Sequence, residues 1–282
     1  MTLLKEFLQN VTVYQNVSDY NFTIGDNNHW TVITNNQNAT DNPSVYFITE
    51  FYDKDSSIGH WVYESAILIQ YYQLLKSYIP NLKWHVKVKK SFKNLFFDKY
   101  CVSEKDIVYE LNKSNVCFFV KPWTLNNNKN FDSKSFETDL GFLTRSFDFT
   151  ELNKPTKLLY ITHKNKENYS GNAREYNLDE FINVVRPKVL YTDQIQNIDE
   201  QCNIVRSAET IIVHAGSAYF INGLLFARNS NIVVVDTSLQ WQIETFQGLK
   251  LIDNLIRNKN KSVKYLEYTN NIVLDLIKTI NY

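Results

Sequence analysis

Short apolar runs alternate with segments of helical spacing throughout the second half of the chain. The runs predict strands at 158–162, 188–191, 210–213, 231–235 and 263–266. The segments between and after them place apolar residues at helical spacing and predict helices at 177–185, 198–208, 217–227, 242–256 and 271–280. Strands this short and this apolar are typical of parallel strands that are covered on both faces. The second half is therefore predicted to form a doubly wound parallel sheet.

The first half of the chain has a less regular pattern. Residues up to 43 alternate short apolar pairs with Asn and Asp, which indicates short strands and turns. Apolar residues at helical spacing predict a helix over 60–78. Pro80 follows just beyond residue 78 and is expected to end it. Further strands are predicted at 44–51, 82–88, 108–111 and 116–120. We place a domain boundary near residue 150, and expect the two halves to pack closely because no Pro- or Gly-rich linker separates them.

Composition and charge indicate a globular protein and disfavour some partners. The hydrophobic fraction of 44%, with 18 Tyr and 18 Phe, supplies material for a large core. Thirty Lys and Arg residues balance thirty Asp and Glu residues, so the chain has no general attraction for nucleic acid or an anionic membrane. It is rich in Asn and has only 7 glycines, a bias typical of an AT-rich genome, as in a low-GC microbe or a large virus.

Targeting signals and cysteine frameworks are not evident in the sequence. No run of about 18 apolar residues is present, so no membrane-spanning helix is expected. Lys5 and Glu6 interrupt the short apolar stretch at the N-terminus, which argues against a signal peptide. The odd number and wide spacing of Cys101, Cys117 and Cys202 argue against a disulfide framework and a cysteine zinc site. We therefore expect a cytoplasmic protein.

The loop after the predicted strand 210–213 is a candidate binding site, because ligands of open α/β sheets bind beyond the carboxyl ends of the strands. It reads His214-Ala215-Gly216-Ser217. Gly216 allows close approach of a ligand, and Ser217 is expected to cap a helix whose N-terminus favours phosphate. A strand-to-helix turn with a hydrogen-bonded His214 is an equally good interpretation. The loop lacks the GxGxxG and GxSxG patterns, so neither a dinucleotide site nor a nucleophile elbow is supported.

The loop after the predicted strand 158–162 is the second candidate. It begins with His163 and Lys164, and Arg174 follows before the next helix. These cationic or protonatable side chains suit a phosphate, and Arg in particular makes bidentate contacts with one. A solvated surface loop is the alternative interpretation.

The first half contains one candidate acid–base pair. His60 and Glu64 are separated by four residues at the start of the predicted helix and so lie on one of its faces. They are interpreted as a general base with an orienting partner, or as an ordinary helix-start histidine bonded to a carboxylate. Asp53-Lys54-Asp55 has the form of a D-x-D metal motif, but a pair of this kind is expected by chance and receives no role.

Taken in order, these segments resemble family 61 glycosyltransferases. The resemblance spans roughly residues 58–240 and rests on Gly59-His60-Trp61 with Glu64, on Arg174 to Phe181, on Glu200-Gln201, on Ile211 to Ser217, on Asn222 with Leu225-Phe226, and on Val233 to Asp236. The chain departs from the family pattern at three points. His163 stands where the family usually has Arg, Ala215 separates His214 from Gly216, and Asn222 lies one residue farther from that glycine.

The resemblance implies an α/β protein with a GT-B-like fold, in which two Rossmann-like domains face each other across a cleft. Residues 1–150 would form the acceptor-side domain and residues 151–282 the domain that binds the nucleotide-sugar. The implied reaction is an inverting transfer of a hexose or pentose from a nucleotide-sugar to a hydroxyl of a glycan or glycoprotein, with no metal or other cofactor. The implied partners are this donor and this acceptor, and a homodimer is the default assembly.

The resemblance also assigns roles to individual residues. Glu64 or His60 would be the catalytic base. The donor would be bound by Arg174, His163, Lys164, His214, Gly216, Ser217, Asn222, Glu200 and Gln201. Two alternatives remain: an inactive protein that derives from a transferase and binds nucleotide or glycan, and an unrelated nucleotide-dependent enzyme on a similar scaffold.

Overall fold

The computed structural model describes residues 12–15, 30–34, 44–49, 58–87, 91–110, 115–120, 133–148, 154–164, 178–236 and 239–280. The chain forms two compact units, the first comprising Met1–Thr124 and Lys129–Phe142 and the second Leu125–Asn128 and Leu143–Tyr282. The main division thus falls between Phe142 and Leu143, whereas the sequence pattern places it near residue 150.

The first unit contains a six-stranded mixed sheet. Its strands are β1 (Thr12–Gln15), β2 (Trp30–Thr34), β3 (Ser44–Ile48), β4 (Leu82–His85), β5 (Ile107–Val108) and β6 (Asn115–Val120). They are arranged in the order β1-β2-β6-β3-β4-β5, and every neighbouring pair is parallel except β2 and β6. The antiparallel pair distinguishes this sheet from the wholly parallel sheet expected of a Rossmann-like domain.

Among the described residues of the first unit, the first helical segment is irregular and spans 58–78. It consists of an α-helical turn (Ile58–His60), a π-helical turn (Trp61–Ser65), a 3₁₀ turn (Ala66–Leu68) and helix α1 (Ile69–Tyr78). The prediction of one regular helix over 60–78 is therefore wrong in its first turns. All five residues of the π turn are buried, and a regular helix would turn some of five successive side chains toward solvent.

Two helices of this region have no counterpart in the sequence prediction. These are α2 (Ser91–Lys99) and α3 (Ser133–Arg145), and a short 3₁₀ turn, Glu104–Asp106, lies between them. Gln70 and Tyr71 of α1 both donate hydrogen bonds to Oδ1 of the buried Asp139 on α3, at 2.8 and 2.7 Å. Aromatic edge contacts fill the core, as between Trp61 and Phe97, whose ring centroids are 5.6 Å apart.

The second unit contains a five-stranded sheet that is parallel throughout. Its strands are β7 (Thr156–Thr162), β8 (Lys188–Tyr191), β9 (Ala208–His214), β10 (Asn231–Asp236) and β11 (Ser262–Glu267). The spatial order is β8-β7-β9-β10-β11, which is one of the two common orders of doubly wound sheets. The five strands predicted from the apolar runs are thus confirmed, as is the parallel sheet.

Helices of the second unit cover both faces of this sheet. They are α4 (Asp179–Val185), α5 (Ile198–Arg206), α6 (Ser217–Ile221) with a π turn (Asn222–Phe226), α7 (Leu239–Thr245), α8 (Gln247–Lys259) and α9 (Ile272–Ile280). Helices α4 and α9 share a core with Ile212 of β9 on one face. Ile211 and Val213, which point to the opposite face, are equally buried.

One helix prediction in this unit is wrong. The segment 242–256 forms parts of two helices, α7 and α8, because Phe246 adopts an extended backbone conformation between them. Within the described part of the chain, no helix combines the length and apolar character needed to cross a membrane.

Candidate functional site

The carboxyl ends of β7 and β9 lie side by side in the second sheet. Ile161 is in register with Val213, so Thr162 and His214 follow at the same level. Here the chain order reverses, since β8 lies beyond β7 and β10 lies beyond β9. Ligands of doubly wound sheets bind at such a switch point. The two loops selected from the sequence therefore start at the position where this architecture binds ligands.

His214 lies below the surface of this edge. Its side chain is 2% exposed, and its Nε2 atom is 2.6 Å from the hydroxyl of Tyr160, a core residue of β7. This geometry favours the interpretation of His214 as a hydrogen-bonded residue of the strand end. Its contribution to a donor site would be to hold β7 and β9 together rather than to contact a ligand directly.

Gly216 forms the turn between β9 and α6. Its φ of 94° and ψ of −142° are rarely adopted by residues with a side chain, so glycine is needed here. Gly216 is the N-cap of α6, and no side chain caps the helix. The prediction that Ser217 caps the helix is therefore wrong, because the backbone reverses one residue earlier and Ser217 becomes the first helical residue. Both residues are partly exposed, and the first amide groups of a helix lack intrahelical partners.

His163 and Lys164 follow β7 directly. His163 is half-buried, and the side chain of Lys164 is exposed. The backbone N–H of Lys164 donates to Oδ1 of Asp193 at 2.8 Å, so a carboxylate from the turn after β8 fixes the start of this loop. Arg174 lies outside the described residues.

Gln201 and Asn222 form a pair of buried amides. Nε2 of Gln201 donates to Oδ1 of Asn222 at 2.8 Å, and Nδ2 of Asn222 donates to the carbonyl of Ala218 at 2.7 Å. The pair fixes α5 against the helical segment after Gly216. These contacts indicate a structural role for both amides, whereas Glu200 is exposed in the first turn of α5.

The first unit holds the candidate acid–base pair. Nδ1 of His60 is 3.3 Å from Oε2 of Glu64, and their side chains are 30% and 0% exposed. Of the pair, His60 is thus the one that a substrate can reach, and the Glu64 carboxylate beside it is enclosed. His60 directly precedes the π turn Trp61–Ser65 and Glu64 lies within it, and turns of this kind are frequent at functional sites.

Two cationic or protonatable residues of the same unit were missed by the sequence analysis. Lys93 on α2 is 1% exposed, and its ammonium group lies 5.8 Å from the ring centroid of Trp61, the neighbour of His60. His85 ends β4, and burial lowers its pKa, as does the charge of Lys93, while a hydrogen bond to the backbone of Tyr109 opposes the shift. Lys93 is three and four residues from the buried Phe96 and Phe97, so recognition of α2 would have placed it on the buried face.

Among the described residues, no group of three or more His, Cys, Asp or Glu side chains is placed to hold a metal ion. Asp53-Lys54-Asp55 lies outside them. Asp236, the acid after β10, accepts hydrogen bonds from the backbone N–H groups of Leu239 and Gln240 at the start of α7. No protein-family model matches the chain, and no curated protein matches it. Function is therefore inferred from the residues of the two units.

Proposed function

We propose that the chain is an inverting glycosyltransferase that moves a sugar from a nucleotide-sugar to a hydroxyl of a glycan or glycoprotein. The observation that carries this proposal is the position of the loops after β7 and β9 at the switch point of a doubly wound sheet. The proposal includes a GT-B-like arrangement of the two units and no requirement for a metal ion.

The edge of the second sheet has the chemistry to hold a diphosphate. Lys164 is an exposed cation, and the turn at Gly216 leaves the first amide groups of α6 for an anion. The hydroxyl of Thr162 is buried at the end of β7 and makes no hydrogen bond with other described residues. A buried hydroxyl without a partner is unfavourable, and a ligand bound here would satisfy it. The resemblance adds Arg174 as a bidentate phosphate contact, and Glu200 as an exposed acceptor for donor hydroxyls.

The reaction needs one base and a stabilised leaving group. In our proposal His60 takes the proton of the acceptor hydroxyl, and the acceptor oxygen attacks the anomeric carbon from the face opposite the diphosphate. The bond from that carbon to the diphosphate oxygen breaks, and its electron pair leaves with the nucleoside diphosphate. A single displacement of this kind inverts the anomeric configuration. The Glu64 carboxylate, 3.3 Å from Nδ1, stabilises the imidazolium that forms.

The first experiment is a thermal-shift screen of UDP, GDP, CMP, dTDP and their sugars, with and without EDTA. A nucleotide at one hundred times its Kd stabilises the folded protein by about 2.7 kcal/mol. We expect one nucleotide class to raise Tm in the presence of EDTA. Lys164→Gln should weaken this response, and Lys157→Gln is the matched control because Lys157 is an exposed lysine at the opposite end of β7. Absence of any response at millimolar nucleotide would contradict the proposal.

An inactive binding protein is the second candidate, and specific contacts favour it. His214 is bonded to Tyr160, and Gln201 and Asn222 are bonded to each other, so three expected donor contacts are engaged within the protein. Incubation of the stabilising nucleotide-sugar with purified protein and glycan acceptors distinguishes the two. Product of inverted anomeric configuration supports the transferase, and binding without transfer or donor hydrolysis supports the inactive protein.

A further inference from the structure

Three cationic side chains meet at the amino-terminal edge of the second sheet, opposite the candidate donor site. Arg206 ends α5, Arg228 follows the π turn Asn222–Phe226, and Lys259 ends α8. They lie two or three residues before the strands β9, β10 and β11, respectively. They belong to a different edge from the loops after β7 and β9, and the proposed transferase reaction does not use them.

In the described part of the chain, one carboxylate forms ion pairs with this cluster. Oδ1 of Asp148 is 2.7 Å from Nη2 of Arg228 and 3.8 Å from Nη2 of Arg206. The side chain of Arg206 is 8% exposed and that of Arg228 is 21% exposed, whereas Asp148 is 45% exposed. Among the described residues the cluster therefore has more positive than negative charge, and its most buried member is a guanidinium.

Capping of helix ends explains only part of this arrangement. Nε of Arg206 donates to the carbonyl of Phe226 at 3.3 Å, and Nη1 of Arg228 donates to the carbonyls of Leu224 and Ala227 at 3.1 and 2.7 Å. Such contacts satisfy carbonyl groups at a helix C-terminus. They leave the buried Nη2 of Arg206 without a hydrogen-bond acceptor among the described residues.

Lys259 is affected by the same excess of charge. Burial lowers its pKa to about 8, and the positive charges of Arg228 and Arg206 lower it while Asp148 opposes them. Partly buried cations that share a single counterion are unfavourable, and a bound anion reduces this cost. The fork of donors on Arg is suited to the oxygen atoms of a tetrahedral anion.

We propose that Arg206, Arg228 and Lys259 form a binding site for a phosphate-class dianion, either free phosphate or a phosphate monoester. The dianion would accept a hydrogen bond from Nη2 of Arg206 and balance the excess positive charge of the three side chains. This site is separate from the proposed nucleotide-sugar site and does not rest on it.

The test follows thermal unfolding of the full chain at pH 7 in inorganic phosphate and in methyl phosphate, against sodium chloride at equal ionic strength. A saturable rise in Tm is expected, because a ligand that binds only the folded state stabilises it. A response to both compounds assigns the site to phosphate monoesters as well as free phosphate, and a response to inorganic phosphate alone assigns it to the free anion. Tm values that match those in chloride would overturn the proposal.

Variants then locate the site. Lys259→Gln should raise the phosphate Kd about tenfold or more, since hydrogen bonds to charged groups are strong. Arg228→Lys keeps the charge but loses the planar fork, and should raise Kd as well. Lys188→Gln is the matched control, because Lys188 is exposed at the same edge, at the start of β8. A phosphate Kd that neither cluster variant changes would place the anion elsewhere and overturn the proposal.

Discussion

A buried network around Asp253 connects α6, α8 and β11 in the second unit, and it allows a quantitative test of the structure. Oδ1 of Asp253 accepts hydrogen bonds from the hydroxyls of Tyr219 and Tyr265, at 2.6 and 2.5 Å. Its other oxygen accepts one from Nε of Arg257 at 2.8 Å, and Arg257 lies over the ring of Tyr265. The carboxylate makes these bonds charge-assisted, and the bond from Tyr219 is shielded from water because Tyr219 and Asp253 are almost fully buried.

Tyr219→Phe removes one of these bonds and leaves the shape of the core unchanged. Because hydrogen bonds to charged groups contribute about 1.5–3 kcal/mol, we expect the free energy of unfolding at pH 8 to fall by about that amount. Burial, followed by the charges of Tyr265 and Asp253, raises the pKa of Tyr219 well above its usual value. The folded state therefore keeps this proton where the unfolded chain loses it, at a pKa of about 10.

The sign of the pH dependence follows from this difference. The contribution of Tyr219 is fully present below pH 10 and is lost as pH rises, at up to about 1.4 kcal/mol per pH unit. The advantage of the wild type over Tyr219→Phe should therefore shrink by about 1.4 kcal/mol between pH 8 and pH 11. Urea unfolding at pH 8, 9, 10 and 11 measures it. Tyr191→Phe is the control, because Tyr191 lies on β8 outside the network. The reasoning would be refuted if the wild type and Tyr219→Phe had the same free energy of unfolding at pH 8, or if their difference stayed constant to pH 11.

Three further outcomes are expected. Glu64→Gln should lower the transfer rate at least about 100-fold while nucleotide binding stays intact, because His60 loses the carboxylate beside Nδ1. Steady-state kinetics measure the rate and a thermal shift measures the binding, and unchanged turnover would exclude His60 and Glu64 as the acid–base pair. Gly216→Ala should destabilise the protein by about 1–3 kcal/mol in urea unfolding, because alanine is strained at a φ of 94°. Asn222→Leu should cost about 1–3 kcal/mol because it leaves the buried amide of Gln201 unpaired, and Gln201→Leu in addition should recover part of that loss.

The second sheet was accessible to prediction because its three inner strands, β7, β9 and β10, are largely buried. Runs such as 158–162 and 231–235 are almost entirely apolar, so the local sequence is enough to predict a buried strand. The strand order and the switch point between β7 and β9 then depend on pairings across the sheet. The sequence indicated which loops to inspect, and the topology brought them together.

Details of the first unit were harder to predict, for physical reasons that particular residues show. The π turn Trp61–Ser65 places five successive residues in the core. The pattern of an amphipathic α-helix does not predict five buried residues in succession. In α2, Lys93 interrupts the apolar pattern on the face that is buried. In α3, Phe136, Leu140 and Leu143 do follow helical spacing, so this helix could have been recognised.

For the candidate site residues too, local sequence predicted some features, and contacts between distant residues determined the others. The positions of His60 and Glu64 follow from helix spacing, but their unequal exposure depends on the packing of the whole unit. The bond from His214 to Tyr160 joins residues of two different strands, and the sequence left both interpretations of His214 open. The cluster of Arg206, Arg228 and Lys259 is formed by the ends of three separate helical segments, and no local pattern marks it.

The parallel arrangement of the second sheet also affects how the protein is made. Tyr160 of β7 pairs with Ile212 of β9, so β7 gains its neighbour on this side only after 52 further residues have been synthesised. At about 5–20 residues per second, a ribosome needs roughly 3–10 s to supply it. During that interval the apolar run of β7 has one edge open, and such edges promote aggregation. Slowing or speeding translation between β7 and β9 should therefore change the yield of folded protein without any change in its sequence.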